Sequence, residues 1–255
     1  MFEDAPDHCG MSFAGQTLAW MPSDSAERFT ELMRDPGHRE YFRQMEWDRP
    51  GAITYKINSD GFRCEEFTDD ACVVALGCSF TVGIGLPLDT IWPELVGHAL
   101  GIKVANLAWG GYSADSCFRL AEYWLPKLRP QLVVMMAPPP GRLEILLDKS
   151  QLLAYQHRDH LFEVLMPGTE SNLILDDSMI RHWFGNPENH RINNLRNRFA
   201  LQGLCAELGV RCIVDEVADR LSANCGLRDY ARDFWHAGPS AQQSMAQWVI
   251  NEYQS

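Results

Sequence analysis

From about residue 72 onward, short aliphatic and β-branched runs alternate with longer stretches of helical period, the rhythm of a parallel sheet covered on both faces. The runs predict strands over Cys72–Leu76, Val104–Asn106, Leu132–Met136 and Val210–Val214. Between them, Ala114 to Leu125 places Cys117, Phe118, Ala121, Trp124 and Leu125 at helical spacing. Ile192 to Leu208 does the same with Ile192, Leu195, Phe199, Leu204 and Leu208, and Gly209 stops it. Pro239 suits a first helical turn and opens a last helix that buries Met245, Trp248, Val249 and Tyr253. The expected fold class is α/β: a three-layer α/β/α domain with a mostly parallel, flavodoxin-like sheet.

Two stretches depart from this rhythm. Residues 1–54 mix Pro, Asp, Glu and scattered aromatics around one short helix at Glu27 to Arg34, and are expected to be an N-terminal extension packed on a domain spanning 55–255. Residues from about 138 to 189 are rich in Pro, Gly, His and Asn, and are expected to be an insertion over the sheet edge or the site.

Composition narrows the function. A chain of 255 residues, 46% hydrophobic, can bury one large core. A net charge of −12 and a pI near 5.1 argue against nucleic acid or an anionic membrane surface as partner, because phosphate binders cluster Lys and Arg. The first residues are acidic, without a basic stretch leading into an apolar run, and no segment approaches membrane-spanning length; the expectation is a soluble, cytoplasmic protein. The eight cysteines (Cys9, Cys64, Cys72, Cys78, Cys117, Cys205, Cys212, Cys225) show no C-x-x-C pairing, so neither a zinc site nor a disulfide framework is expected.

In an open parallel sheet, ligands gather beyond the carboxyl ends of the strands. Those positions hold Gly77 to Gly83, Gly110-Gly111-Tyr112-Ser113 and the Pro138 to Arg142 turn. Ser79, at a strand end before a helix start, would aim its own N–H at a bound carbonyl oxygen, and Gly111 can supply a second donor. The alternative for Ser79 and Thr81 is helix capping. Alternation along the strand turns Cys78 to the opposite face, as a packing thiol. Near the C-terminus, Asp233 and His236 lie three positions apart in a turn-like stretch, so the carboxylate can fold back onto one imidazole nitrogen and leave the other to take a proton from Ser79. Elsewhere, His157 and His160 with Asp159 and Glu163 read as a solvated helix face rather than a metal site, and His182 and His190 carry no assignable role. Trp109 and Trp235 adjoin these segments as candidate pocket walls.

These blocks carry a resemblance to the SGNH (GDSL-type) hydrolase family. Gly77-Cys78-Ser79-Phe80-Thr81-Val82-Gly83 looks like its first block, with Cys78 in place of the usual Asp. Asn106 to Ser113 is similar to the second, which implies Gly111 as an oxyanion donor, and Asp233-Phe234-Trp235-His236 resembles the last, which implies Asp233 as orienter and His236 as base. Asn58-Ser59-Asp60-Gly61-Phe62-Arg63 resembles a stretch that precedes the first block in many bacterial and phage members. The third block is where this chain departs. The family places an Asn there as a further donor, whereas this chain runs Ala137-Pro138-Pro139-Pro140-Gly141-Arg142, and proline offers neither side-chain donor nor N–H. Losing such a donor costs about 10²–10³ in kcat. Arg142 is a candidate replacement.

The expected activity is hydrolysis of a small-molecule or glycan ester, or a thioester, through an acyl-serine: carboxylesterase, deacetylase or lipase-like, with no metal or cofactor required. Rivals are a degenerate hydrolase fold used as a binding module, and an acyltransferase using the same serine. A phosphate loop over Gly77 to Gly85 lacks the Gly-Lys-Ser/Thr ending.

Overall fold

The computed structural model describes residues 6–70, 72–148, 151–158, 161–164, 186–216 and 229–255. Cys225, Asp159, His160 and His182 lie outside them. The N-terminal segment begins with a 3-10 turn over Cys9–Phe13, then β1 (Thr17–Leu18). Helix α1 (Ala26–Leu32) starts where the Ser25 hydroxyl accepts from the Arg28 N–H. Helix α2 (Pro36–Gln44) is capped by Asp35, with Pro36 in its first turn. Strand β2 (Tyr55–Lys56) returns antiparallel to β1.

The α/β unit follows: β3 (Cys72–Leu76), the one-turn helix α3 (Ser79–Val82), α4 (Trp92–Leu100), β4 (Lys103–Asn106), α5 (Ala114–Leu128) and β5 (Leu132–Ala137). Ser113 opens α5 with a reciprocal capping box to Ser116. Strands β6 (Arg142–Asp148), β7 (Gln151–Arg158) and β8 (Leu161–Val164) form a separate antiparallel meander, tied to α5 by the Arg119–Glu144 ion pair at 2.6 Å. Helix α6 (Pro187–Glu207), β9 (Arg211–Glu216) and α7 (Pro239–Gln254) complete the chain.

The main sheet is four-stranded and parallel, in the order β4-β3-β5-β9. Its first strand in sequence is therefore central, as the flavodoxin-like expectation requires. Alternation along the strands divides the core. Val74, Leu76, Val133 and Met135 face a large cluster under α5, while Val73, Ala75, Val134 and Met136 face a second with Trp92, Val96, Met245 and Val249 of α4 and α7. Three layers result. Each buried aliphatic side chain contributes about 1.5–3 kcal/mol. Phe29, Phe42, Trp47 and Tyr55 of the N-terminal segment enter the larger cluster.

Two expectations are corrected. The solvated helix face proposed for His157 is a strand, β7, because antiparallel pairing with β6 overrides a helical reading of this polar stretch. Helix α6 starts at Pro187, five residues before Ile192, because Asn186 caps it by accepting from the Glu188 N–H.

Candidate active site

Ser79 sits where β3 runs into α3, at the carboxyl end of the sheet, and is 8% exposed. The turn is tight: a Cβ at Gly77 would lie 2.2 Å from Thr81 Oγ1, so only glycine fits. Cys78, not Ser79 or Thr81, occupies the helix-capping position and makes no side-chain cap bond, so the capping alternative for Ser79 does not hold. Cys78 is fully buried in the second cluster, on the α4–α7 side. The Ser79 carbonyl accepts from the Gly83 and Ile84 N–H groups at 3.0 and 3.2 Å, which closes the turn. Arg63 fixes its far end. The buried guanidinium donates to the carbonyl oxygens of Val82, Gly83 and Leu86 at 2.8, 2.6 and 2.7 Å, and burial lowers its pKa to about 10.

Asp233 and His236 occupy a turn just before α7. The Ala231 N–H donates to the His236 carbonyl at 2.9 Å, and Phe234 takes a positive φ of 57°, braced by Tyr41, Phe42 and Tyr230. Asp233 Oδ1 accepts from the Trp235 and His236 N–H groups at 3.0 and 3.1 Å, and Oδ2 lies 2.6 Å from His236 Nδ1. Burial alone would raise the Asp233 pKa, but the His236 side chain and the two backbone donors together hold it below the ordinary carboxylate range. An ionised carboxylate only accepts, so Nδ1 carries the proton in this bond and Nε2 is the ring nitrogen not engaged by Asp233. His236 is buried, and its ring packs edge-on against Phe80, the residue after Ser79, with ring centroids 4.7 Å apart. Gln242 ties the same region to α7 by donating to the Phe80 carbonyl at 3.3 Å. Among the described residues, no hydrogen bond joins Ser79 Oγ to His236.

The end of β4 is tied to the helical turn that Ser79 opens. Asn106 donates to the Thr81 carbonyl at 3.1 Å, and Gly111, with φ of 85°, precedes the Ser113 cap. Arg142 is buried at the start of β6, and its Nη1 donates to the Tyr112 carbonyl at 3.2 Å, one residue beyond Gly111. Trp109 is 6% exposed and stacks on Phe13 in the core, whereas Trp235 is 59% exposed with the Arg28 guanidinium 5.7 Å from its ring centroid.

Several polar residues that sequence reasoning passed over shape these loops. Asp115 gathers Ser113 Oγ, Asn193 and Asn197, joining α5 to α6, and Asn194 donates to the Pro138 carbonyl. Asn193, Asn194 and Asn197 at helical spacing were the available signal, since asparagines on one helix face ask for buried partners.

No family model matches the sequence, and no curated protein does. Solved structures similar to the chain include that of TesA, at 11% identity and a TM-score of 0.44, covering 71% of this chain and 96% of that one. Another is a lipolytic G-D-S-L family protein from Veillonella parvula, at 13% identity and TM-score 0.35 over 72% of this chain and 98% of that one. A third is a carbohydrate esterase, at 13% identity and TM-score 0.36 over 72% of this chain and 64% of that one.

Proposed function

We propose that the protein is an SGNH-type serine hydrolase acting on a small-molecule or glycan ester, or a thioester, through an acyl-serine intermediate. The observation that carries this reading is the Asp233–His236 hydrogen bond, set against Phe80 beside Ser79 at the carboxyl end of a parallel sheet. In this scheme His236 Nε2 takes the Ser79 hydroxyl proton as Oγ attacks the carbonyl carbon, and Asp233 stabilises the imidazolium that forms. The backbone N–H groups of Ser79 and Gly111, neither of which has a partner among the described residues, hold the developing oxyanion. The imidazolium then protonates the leaving alcohol, and water repeats the cycle on the acyl-serine. Arg142 supports the Gly111 loop through Tyr112. In this reading the exposed Trp235 ring, next to His236 in sequence, is offered as an aromatic wall for the substrate.

The test is a panel of p-nitrophenyl esters against wild type, Ser79→Ala and His236→Ala. Serine-dependent turnover supports the hydrolase. The Pro138-Pro139-Pro140 run favours a second reading, a binding module that keeps the fold and has lost turnover; ester binding without release of nitrophenol from the wild type identifies it. Transfer of the acyl group to added alcohols or sugars instead of water identifies an acyltransferase.

A further inference from the structure

The hydrogen bond between Asp233 and His236 is internal to one turn, so it cannot set how far that turn lies from Ser79. Another set of contacts does. The Arg232 N–H donates to the Gly85 carbonyl at 2.9 Å, and the Gly85 N–H donates to Tyr55 Oη at 2.8 Å. Gly85 has φ of 76°, and a Cβ there would come within 2.9 Å of both Ala231 Cβ and the Arg232 nitrogen, so the two turns meet main chain to main chain. The Tyr55 hydroxyl in turn donates to Asp24, whose two oxygens accept from Arg232 Nε and Nη2 at 2.8 and 2.6 Å. Asp24, Tyr55 and Arg232 are all buried, and the Arg232 guanidinium carbon lies 4.5 Å from the Trp20 ring centroid. Arg28 of the same N-terminal segment reaches the Asp233 carbonyl at 3.3 Å.

A buried ion pair is weak as a source of stability, because desolvation offsets the attraction; its best-attested use is to select one geometry. Here the pair closes a ring that runs from the turn after Ser79, through Tyr55 and Asp24, to the residue preceding Asp233. We propose that Asp24 and Arg232, acting through Tyr55 and Gly85, are positioning residues that fix the separation between the Ser79 turn and the Asp233–His236 turn. This rests on the hydrolase reading above for its catalytic consequence, though not for the contacts themselves. The N-terminal segment thereby becomes part of the catalytic apparatus without touching substrate.

Asp24→Asn leaves Arg232 buried beside a neutral amide and can fail to fold, so the test uses two other variants. Tyr55→Phe removes one link without orphaning a charge, and the double exchange Asp24→Leu with Arg232→Met removes the pair entirely. Amide hydrogen exchange is read by NMR, with kcat and KM on p-nitrophenyl acetate and the far-downfield proton resonance of His236 Nδ1–H. The expected result is exchange roughly tenfold faster or more at Gly85 and Arg232, with Trp235 and His236 amides unchanged. The double variant is expected to lose about 10²-fold in kcat, as an ångström-scale misplacement does, with KM little moved and the downfield proton retained. Unchanged kcat in folded variants whose exchange has accelerated overturns the proposal. So does loss of the downfield proton, which would mean the network holds the turn's own fold rather than its placement. Ser79→Ala separates the two claims: if turnover survives it, the hydrolase reading fails, and the exchange pattern alone decides whether the ring sets the separation.

Discussion

The Asn194 side-chain amide donates to the Pro138 carbonyl oxygen across 3.1 Å, with both residues buried. Pro139 and Pro140 have no N–H, so the chain itself can satisfy this carbonyl only from further along the turn, and a helix from beyond the meander supplies the donor. Replacing Asn194 with Ala leaves a buried acceptor unpaired. The expected loss is about 1–3 kcal/mol in urea unfolding. A loss no larger than that of an exposed α6 position such as Arg191→Ala would contradict it.

On the proposed hydrolase reading, Asp233→Asn keeps the shape of the turn but removes the carboxylate that holds the proton on Nδ1, so the ring would present the wrong tautomer to Ser79. A loss of about 10⁴ in kcat is expected, with native circular dichroism. The pH dependence has a definite sign. Because the folded-state pKa lies below the unfolded value of about 3.9, the stabilisation from this carboxylate is complete above that value and lost as pH falls through the folded pKa. Acid titration of stability should therefore be shallower below pH 4 in the variant than in wild type.

His8 is buried between the Asp60 carbonyl, 2.8 Å from Nε2, and the Gly10 N–H, 3.2 Å from Nδ1, an arrangement that only the neutral ring satisfies at both ends. Burial pushes its pKa down to about 4. Between about pH 6.5 and 4 the unfolded chain binds a proton that the folded one refuses, so stability should fall by about 3 kcal/mol across that window as pH is lowered. Chemical denaturation at both pH values measures it. An equal slope in His8→Gln would assign the loss to other groups.

Glu94 shows the opposite behaviour. It lines a cavity of about 440 Å³ at the amino ends of β3 and β4, away from Ser79, and burial together with Glu65 raises its pKa to about 7. The folded state keeps a proton that the unfolded chain releases near pH 4.3, so this contribution is whole below that pH and lost as pH rises through 7. Glu94→Gln should raise the thermal midpoint relative to wild type at pH 8 and leave it nearly unchanged at pH 4. A gain of about 1–2 kcal/mol is expected after allowing for partial solvent access. Equal midpoints at pH 8 would refute it.

Much of this was legible along the chain. The strand over Cys72–Leu76 was bounded to the residue, because a central strand buried on both faces reads as an unbroken apolar run. The last helix begins at Pro239 as its first-turn chemistry requires. Asp233 and His236 were candidates because a three-residue step lets the carboxylate reach the ring, and Ser79 and Gly111 because each follows a strand end, where main-chain N–H groups meet a ligand. The antiparallel meander was not legible. Its pairing is non-local, and polar residues spread through the stretch obscured the alternation that marks a strand.

What the amino-acid order determined by itself is the local material: which runs are buried, where helices begin, and the three-residue step that lets Asp233 close onto His236. What only the tertiary structure decided is how these pieces are spaced. Asp24 and Arg232 are 208 positions apart, Asn194 and Pro138 are 56, and Arg142 faces Tyr112 rather than open solvent. Periodicity carries no information about such pairs. A buried polar group must find a partner, but which partner depends on distance in space, and that is set only when the layers pack.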